Sequence, residues 1–111
     1  MFLYFLFAYN ESVNANTKKV LSVSELNRLV RNVIETNFSS VWIEGEISNF
    51  SCPSSGHWYL TLKDERSQIR CAMFKNANYK TNFQPKDGQF VLINCNPGIY
   101  EARGEFQLVI N

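Results

Sequence analysis

The sequence predicts a mainly β protein, built as a small five-stranded barrel with one α-helix in front of it. Three observations lead to this prediction. The chain has 111 residues, of which 45% are hydrophobic, as expected for one globular domain. A helix start signal lies near Ser22. After Ser40 the sequence consists of short alternating segments separated by turn residues, which is the pattern of strands.

The predicted helix begins at a capping box, in which Ser22 and Glu25 stand at S-x-x-E spacing, and Leu21 with Leu26 can form a hydrophobic staple. Apolar residues then recur at helical spacing, and the polar segment 37–40 ends the helix. We expect one apolar side of this helix to pack against the barrel. That side consists of Leu26, Leu29, Val33 and Ile34.

The predicted strands are Val41–Phe50, His57–Lys63, Gln68–Lys75, Gln89–Cys95 with a continuation at Ile99–Tyr100, and Phe106–Ile110. Gly45 predicts a bend or bulge in the first strand, and Pro97 with Gly98 predicts a bulge that interrupts the fourth. The polar segment 76–88 is expected to be irregular and to hold a helical turn. A hairpin turn that contains Gly104 precedes the last strand.

One helix, five strands, a bulged first strand and meander-like connections best match the five-stranded OB-fold. An SH3-like barrel is the alternative. We expect residues 20–111 to form one domain and residues 1–19 to be an N-terminal extension and linker. The apolar run Met1–Tyr9 is too short to span a bilayer as a helix. It also lacks the basic residue that precedes the apolar core of a secretory signal.

Charge is nearly balanced, with a formal net charge of +1, whereas a dedicated duplex-DNA binder is usually more basic. The basic residues are nevertheless clustered between positions 66 and 86, where no acidic residue occurs: Arg66, Arg70, Lys75, Lys80 and Lys86. The acids group elsewhere, at Glu44, Glu46, Asp64, Glu65, Glu101 and Glu105. A one-sided field can therefore exist on this chain, although an ordinary solvated surface explains the same pattern.

Catalytic and metal-binding patterns are weak. Cys52, Cys71 and Cys95 are widely spaced and His57 is the single histidine, so neither a metal cage nor a nucleophile with its base is indicated. No cofactor is expected. Three free, reduced thiols are the simplest interpretation, and they suit a cytoplasmic protein.

The segment SGHWYLTLKD (55–64) carries the clearest binding pattern. Strand alternation places Trp58, Leu60 and Leu62 on one face, and on the other His57, Tyr59, Thr61 and Lys63. A ring, a hydroxyl and a cation side by side suit an unpaired base and its phosphate, because stacking and charge neutralisation act together. The alternative is an ordinary wet strand face, since Tyr and Thr favour strands in any case.

OB-folds bind nucleic acids across their second and third strands and with the loops that join strands one to two and four to five. On that basis the candidate nucleic-acid-binding residues are Phe50, His57, Tyr59, Thr61, Lys63, Arg70, Phe74, Tyr100 and Arg103. A core role for Phe74 is equally compatible with the pattern. Trp42 and Trp58 are expected in the core, because large rings supply much of a small core's burial.

Five segments in consistent order resemble one known family: LSVSELNRLVR (21–31), VWIEGEISNF (41–50), SGHWYLTLKD (55–64), QIRCAMFK (68–75) and IYEARGEFQLVI (99–110). The chain is similar here to the N-terminal domain of the large subunit of exodeoxyribonuclease VII. The resemblance covers about four fifths of the sequence. Residues 1–19 have no counterpart in the family pattern, and Pro97 with Gly98 interrupts a strand that is usually more regular.

The resemblance implies an OB-fold that holds single-stranded DNA for a bacterial nuclease. The family's enzyme degrades single strands to oligonucleotides without a metal ion, and its large subunit gathers small subunits through a later coiled region. Catalysis belongs to a domain that would lie beyond Asn111, so this chain is expected to be a fragment or a short product that binds without cutting. A barrel face that binds another protein is the alternative function.

Overall fold

The computed structural model describes residues 19–111. Its elements are α1 (Val23–Asn37), β1 (Val41–Ser51), β2 (Trp58–Lys63), β3 (Gln68–Met73), α2 (Lys75–Asn78), β4 (Phe90–Tyr100) and β5 (Glu105–Ile110). The short α2 is the helical turn expected in the segment 76–88. The expectations for residues 1–18 lie outside the described residues. Within 19–111, no helix is long and apolar enough to cross a membrane.

The strands form a closed barrel in the order β1-β2-β3-β5-β4. Four of the strand pairs are antiparallel, whereas β3 and β5 run parallel. A five-stranded barrel with one helix ahead of it confirms the predicted OB-fold.

The first strand closes two sides of the barrel, because it pairs with β4 at its start and with β2 from Glu46 onwards. Gly45 lies where the strand passes from one partner to the other. A Cβ there would stand 2.8 Å from Leu62 Cγ and 3.0 Å from the Lys63 carbonyl oxygen. The irregularity itself comes later, between Ser48 and Ser51, where Asn49 has a φ of 53°. The bulge predicted at Gly45 is therefore wrong, and this glycine instead allows two strands to approach closely.

The bulge predicted at Pro97 and Gly98 is also wrong, because β4 pairs with β5 in unbroken register from Cys95 to Tyr100. Pairing of β4 with β1 ends at Cys95. Among residues 19–111, β4 has a strand on one side only beyond Cys95. Proline is tolerated in such a stretch, since its missing N–H leaves no strand partner unbonded.

The core lies inside the barrel and consists of Ile47, Leu60, Leu62, Cys71, Cys95, Leu108 and Ile110. Trp58 is half-buried, with its ring edge-on to Phe50 at 5.6 Å between centroids. The expectation that Trp42 belongs to the core is wrong, because 66% of this residue is exposed. Its neighbours Val41 and Ile43 point inwards, so strand alternation turns Trp42 to the outside.

The start of α1 is as predicted. The Ser22 hydroxyl accepts a hydrogen bond from the Glu25 amide at 3.1 Å, and the Glu25 carboxylate accepts one from the Ser22 amide at 2.8 Å. These two bonds complete the capping box. The amide of Ser22 holds the pKa of the Glu25 carboxyl below its usual value.

The predicted packing of α1 is wrong for most of its apolar side. Leu26, Leu29 and Val33 remain 50%, 48% and 62% exposed. Ile34 is the one member of that side that is half-buried, and Asn27 is half-buried beside it. These two residues lie roughly a third of a turn away from Leu26, Leu29 and Val33. The helix therefore packs on β4 with a largely polar side.

Replacing Gly45 should destabilise the barrel. In Gly45→Ala the new methyl group meets a core side chain and a backbone carbonyl, so we expect a loss of about 1–3 kcal/mol in the free energy of unfolding. Urea unfolding of both proteins measures it. Gly98→Ala is the matched control, because its Cβ would meet only the flexible carboxylate of Glu35 at 3.4 Å. Equal stability of the two variants would contradict the close approach at Gly45.

The three cysteines are free, with Cys52 exposed and Cys71 and Cys95 buried, as the sequence predicts. Burial raises the pKa of the Cys71 thiol to about 12 and raises that of Cys95 as well. Both buried groups therefore stay protonated and unreactive at neutral pH. A thiol reagent should label Cys52 rapidly in the native chain and all three cysteines in denaturant. Rapid labelling of a second thiol without denaturant would show that the core opens.

Candidate nucleic-acid interface

Two rows of side chains cross the outer face of β2, β3 and β5. In the first row Thr61 pairs with Arg70, and Arg70 pairs with Gln107 across the parallel strands. In the second row Tyr59 pairs with Ala72, and Ala72 with Val109. Strand pairing alone thus brings a ring, a hydroxyl, a guanidinium and an amide onto one surface.

A groove of about 730 Å³ runs over this surface. We call it the barrel groove. Six of its lining residues are among those singled out from the sequence: Tyr59, Thr61, Arg70, Phe74, Tyr100 and Arg103. Ala72 also lines it and is only 3% exposed, although it points outwards. Its small side chain lies low between larger neighbours, so it forms part of the floor.

Aromatic rings form one end of the groove. The rings of His57 and Phe74 meet edge to face at 5.2 Å between centroids, and those of His57 and Tyr59 at 6.4 Å. His57 Nδ1 accepts a hydrogen bond from the Lys75 amide at 3.0 Å, which orients the ring. Phe74 is 36% exposed, so it is available for contact while it supports His57.

A buried asparagine holds this end in place. The Asn78 side chain donates to the carbonyl oxygens of Gly56 at 2.9 Å and of Met73 at 3.0 Å. It thereby ties α2 to the loop before β2 and to the end of β3. Both segments flank His57 and Phe74, so these hydrogen bonds fix the backbone that carries the two rings.

The turn between β4 and β5 forms the other wall. The amides of Arg103 and Gly104 donate to the Tyr100 carbonyl at 3.1 and 2.8 Å. Gly104 has a φ of 64°, a conformation that costs glycine little. Arg103 Nη1 lies 4.0 Å from Glu105 Oε2, and the Arg103 side chain is 72% exposed. Such an exposed pair contributes little energy, so Arg103 is free to meet an anion.

Charge is distributed unevenly along β2. The barrel groove contains Arg70 and Arg103 against the single carboxylate of Glu105. A neighbouring hollow collects most of the acids predicted to cluster, since Glu44, Glu46, Asp64 and Glu65 line it against the two cations Lys63 and Arg66. The amides of Arg66 and Ser67 hold the pKa of the Asp64 carboxyl below its usual value. A polyanion is therefore favoured in the groove and disfavoured in the hollow.

Three of the residues singled out from the sequence lie outside the groove lining. His57 stands at its aromatic end, behind Phe74. Phe50 is half-buried against the core and edge-on to Trp58. Lys63 lines the acidic hollow, because it pairs with Glu46 across β1 and β2. The structure thus separates Phe50 and Lys63 from the other candidates.

Sequence reasoning missed four polar lining residues, Asn49, Ser51, Glu105 and Gln107, besides the apolar Leu60, Cys71 and Ala72. Gln107 could be found only by knowing that β5 runs parallel beside β3, which no local pattern reveals. Ser51 lies opposite Tyr59 after the irregular step in β1, so its position depends on a bulge that the sequence placed elsewhere. Asn49 has a positive φ. Asparagine adopts this conformation more readily than most residues, so an Asn within a predicted strand is the signal that could have located the irregularity.

No metal-binding cluster is present in the part of the chain that the structure describes. Among residues 19–111, no three His, Cys, Asp or Glu side chains come together in a way that could hold a metal ion. The groove instead offers rings, amides and guanidinium groups.

Comparison with known proteins agrees with this geometry. The family described as the OB-fold nucleic acid binding domain matches residues 21–111. The chain belongs to this family. The match begins just ahead of α1 and ends at the last residue of the barrel, so it contains every element that builds the OB-fold groove.

Curated relatives carry one common name, exodeoxyribonuclease 7 large subunit. The OB-fold domain is 57% identical over 88 residues to the protein of Hahella chejuensis, covering 79% of this chain and 20% of the relative. It is 53% identical over 92 residues to that of Haemophilus influenzae, covering 83% and 21%. The family resemblance found in the sequence is thus confirmed. The chain spans about a fifth of the length of these relatives.

One solved structure shows the same fold at low identity. A chain described as an aspartyl-tRNA synthetase of Leishmania major Friedlin has a TM-score of 0.51 and 14% sequence identity. The alignment covers 94% of this chain and 22% of that chain. It supports the OB-fold architecture alone.

Proposed function

We propose that the barrel groove binds single-stranded DNA. The observation that carries this proposal is the meeting of Tyr59, Phe74 and Tyr100 with Arg70 and Arg103 in one open groove of an OB-fold. Rings stack on unpaired bases of any sequence, and guanidinium groups contact phosphates. Thr61 and Gln107 add hydrogen-bonding groups beside Arg70.

Single strands suit this groove better than a duplex. In a duplex the bases are stacked on each other, and their faces are closed to side chains. The net charge of +1 also supplies little of the long-range attraction on which duplex binding depends. A splayed strand, by contrast, offers a free face to each ring.

In the longer relatives we propose that this groove presents the strand to a nuclease domain elsewhere in the large subunit. Degradation to oligonucleotides, association with the exodeoxyribonuclease VII small subunit and a cytoplasmic location are parts of the same proposal. They rest on the relatives' shared name and the fifth of their length matched here. Residues 20–111 serve as one binding domain that does not cut by itself, and residues 1–19 serve as an extension.

A protein-binding role is the second candidate, and one observation favours it. The apolar stripe of α1 leaves Leu26, Leu29 and Val33 about half exposed or more. This surface is separate from the groove, so the two roles can be distinguished. A polynucleotide titration that detects no binding, with groove substitutions that change nothing, would favour the protein-binding role.

Binding should weaken with salt in proportion to the phosphates neutralised. From the sequence alone, about three contacts give a slope of log affinity against log salt near −2. The groove holds two arginines, for which we expect a slope of about −1.4, using about −0.7 per contact. Arg70→Ala should weaken binding to all sequences alike and flatten the slope by about 0.7. Fluorescence anisotropy with a labelled oligothymidine at several salt concentrations measures both.

Arg28→Ala is the matched control for this change. It removes the same charge from the exposed side of α1, so affinity and slope should stay close to those of the parent chain. Lys63→Ala should have a smaller effect than Arg70→Ala, because carboxylates line the hollow around Lys63. Equal losses for Arg28→Ala and Arg70→Ala would mean that binding follows net charge and not the groove.

Stacking on Tyr59 should contribute affinity without ion release. Tyr59→Ala is expected to cost roughly 1–3 kcal/mol of binding free energy while the salt slope stays unchanged. Trp42→Ala provides the control, since it removes an exposed ring from β1 outside the groove. The same titrations report the result. A Tyr59→Ala variant that binds like the parent chain would remove stacking from the proposal.

A further inference from the structure

The polar side of α1 makes its contacts with the turn that carries Tyr100 and Arg103. Asn27 Nδ2 donates a hydrogen bond to the Glu101 carbonyl oxygen at 3.0 Å. The Arg31 guanidinium pairs with the Glu101 carboxylate. One residue of the turn is thus held twice, through its backbone and through its side chain.

Asn27 also abuts the far end of the same turn. A Cβ on Gly104 would lie 3.1 Å from both Oδ1 and Nδ2 of Asn27. The asparagine therefore spans the turn from Glu101 to Gly104. Arg103, which lies between them, is carried by a backbone that is fixed on both sides.

Arg31, which pairs with Glu101, is itself oriented by Glu35. Arg31 Nε donates to Glu35 Oε2 at 2.7 Å, one helical turn further along α1. Glu35 in turn lies beside Gly98 of β4, where a Cβ would stand 3.4 Å from its carboxylate. Pairing on both sides of Arg31 leaves its guanidinium facing the turn.

The burial of residues in α1 also indicates that its polar side contacts the barrel. Asn27 and Ile34 are the residues of this helix that are not exposed. Its leucines and valines are exposed to solvent. A helix held only by hydrophobic packing would bury its leucines and valines. Here part of the buried surface belongs to an amide that bonds the turn.

We propose that Asn27 and Arg31 are positioning residues that hold the β4–β5 turn, so that Tyr100 and Arg103 face the barrel groove. This inference rests on the proposed function of that groove. Arg103 is exposed and only loosely placed by Glu105, so the turn backbone sets where its guanidinium lies. A turn that is already ordered spares the bound complex the entropy of ordering it.

The test compares two double variants of the full chain. Asn27→Ala with Arg31→Ala removes the contacts to the turn. Asn32→Ala with Arg28→Ala makes the same two replacements on the exposed side of the same helix. Titration with labelled oligothymidine should show about a three- to tenfold weaker affinity for the first variant and no change for the second. Equal affinities of the two double variants for the oligothymidine would overturn the proposal.

Combination with groove substitutions separates positioning from general destabilisation. If Asn27 and Arg31 act through the turn, removing them from a Tyr100→Ala, Arg103→Ala background should cause no further loss. In a Tyr59→Ala background the loss should remain in full, because Tyr59 lies on another strand. An equal loss in both backgrounds would assign the effect to the fold as a whole and refute the positioning role.

Amide hydrogen exchange examines the turn without DNA. The Arg103 and Gly104 amides, which bond Tyr100, should exchange at least several-fold faster in the Asn27→Ala, Arg31→Ala variant. The Ser67 amide, which bonds Asp64 in another turn, should not change. Unaltered exchange at Arg103 and Gly104 would overturn the contact's role. A parent chain that binds no oligothymidine would instead reject the proposed function, and exchange would then decide whether α1 orders the turn.

Discussion

The parallel pairing of β3 with β5 is the contact on which the arrangement of this domain depends. Three residue pairs make it: Arg70 with Gln107, Cys71 with Leu108, and Ala72 with Val109. The middle pair is buried in the core, while Arg70, Gln107 and Ala72 of the outer pairs line the groove. One short ladder thus closes the barrel and sets the width of the binding surface. A shift of one residue in this register would turn Arg70 inwards and Cys71 outwards.

Local patterns in the sequence predicted the parts of the fold that local physics decides. The capping box at Ser22 and the alternation of β2 need only neighbours in the chain, and both were found where expected. The alternation of β1 is equally clear, yet the size of the Trp42 ring predicts a position in the core. The structure follows the period, since a strand cannot turn a residue inwards without breaking the pattern of those beside it.

Long-range contacts account for what the sequence could not predict. The sequence predicts a bend or bulge at Gly45 and a bulge at Pro97, but the roles of both residues come from what lies next to them. Gly45 makes room for Leu62 of another strand, and Pro97 lies where β4 has lost one partner. For the groove, the members on β2 and β3 followed from alternation. Gln107 required the parallel pairing. Phe50 lies outside the groove because it packs against the core, and Lys63 because it pairs with Glu46 across β1 and β2.

Pro97 affects how the edge of β4 would behave if α1 no longer covered it. From Asn96 to Tyr100 the strand presents an edge that α1 packs against, and no other strand in the described part of the chain pairs with it. An open edge of this kind is a template for pairing with another chain, and such pairing leads to aggregates. Pro97 interrupts the row of donors along that edge. Detachment of α1 would therefore uncover an edge that is a poor template for pairing with another chain.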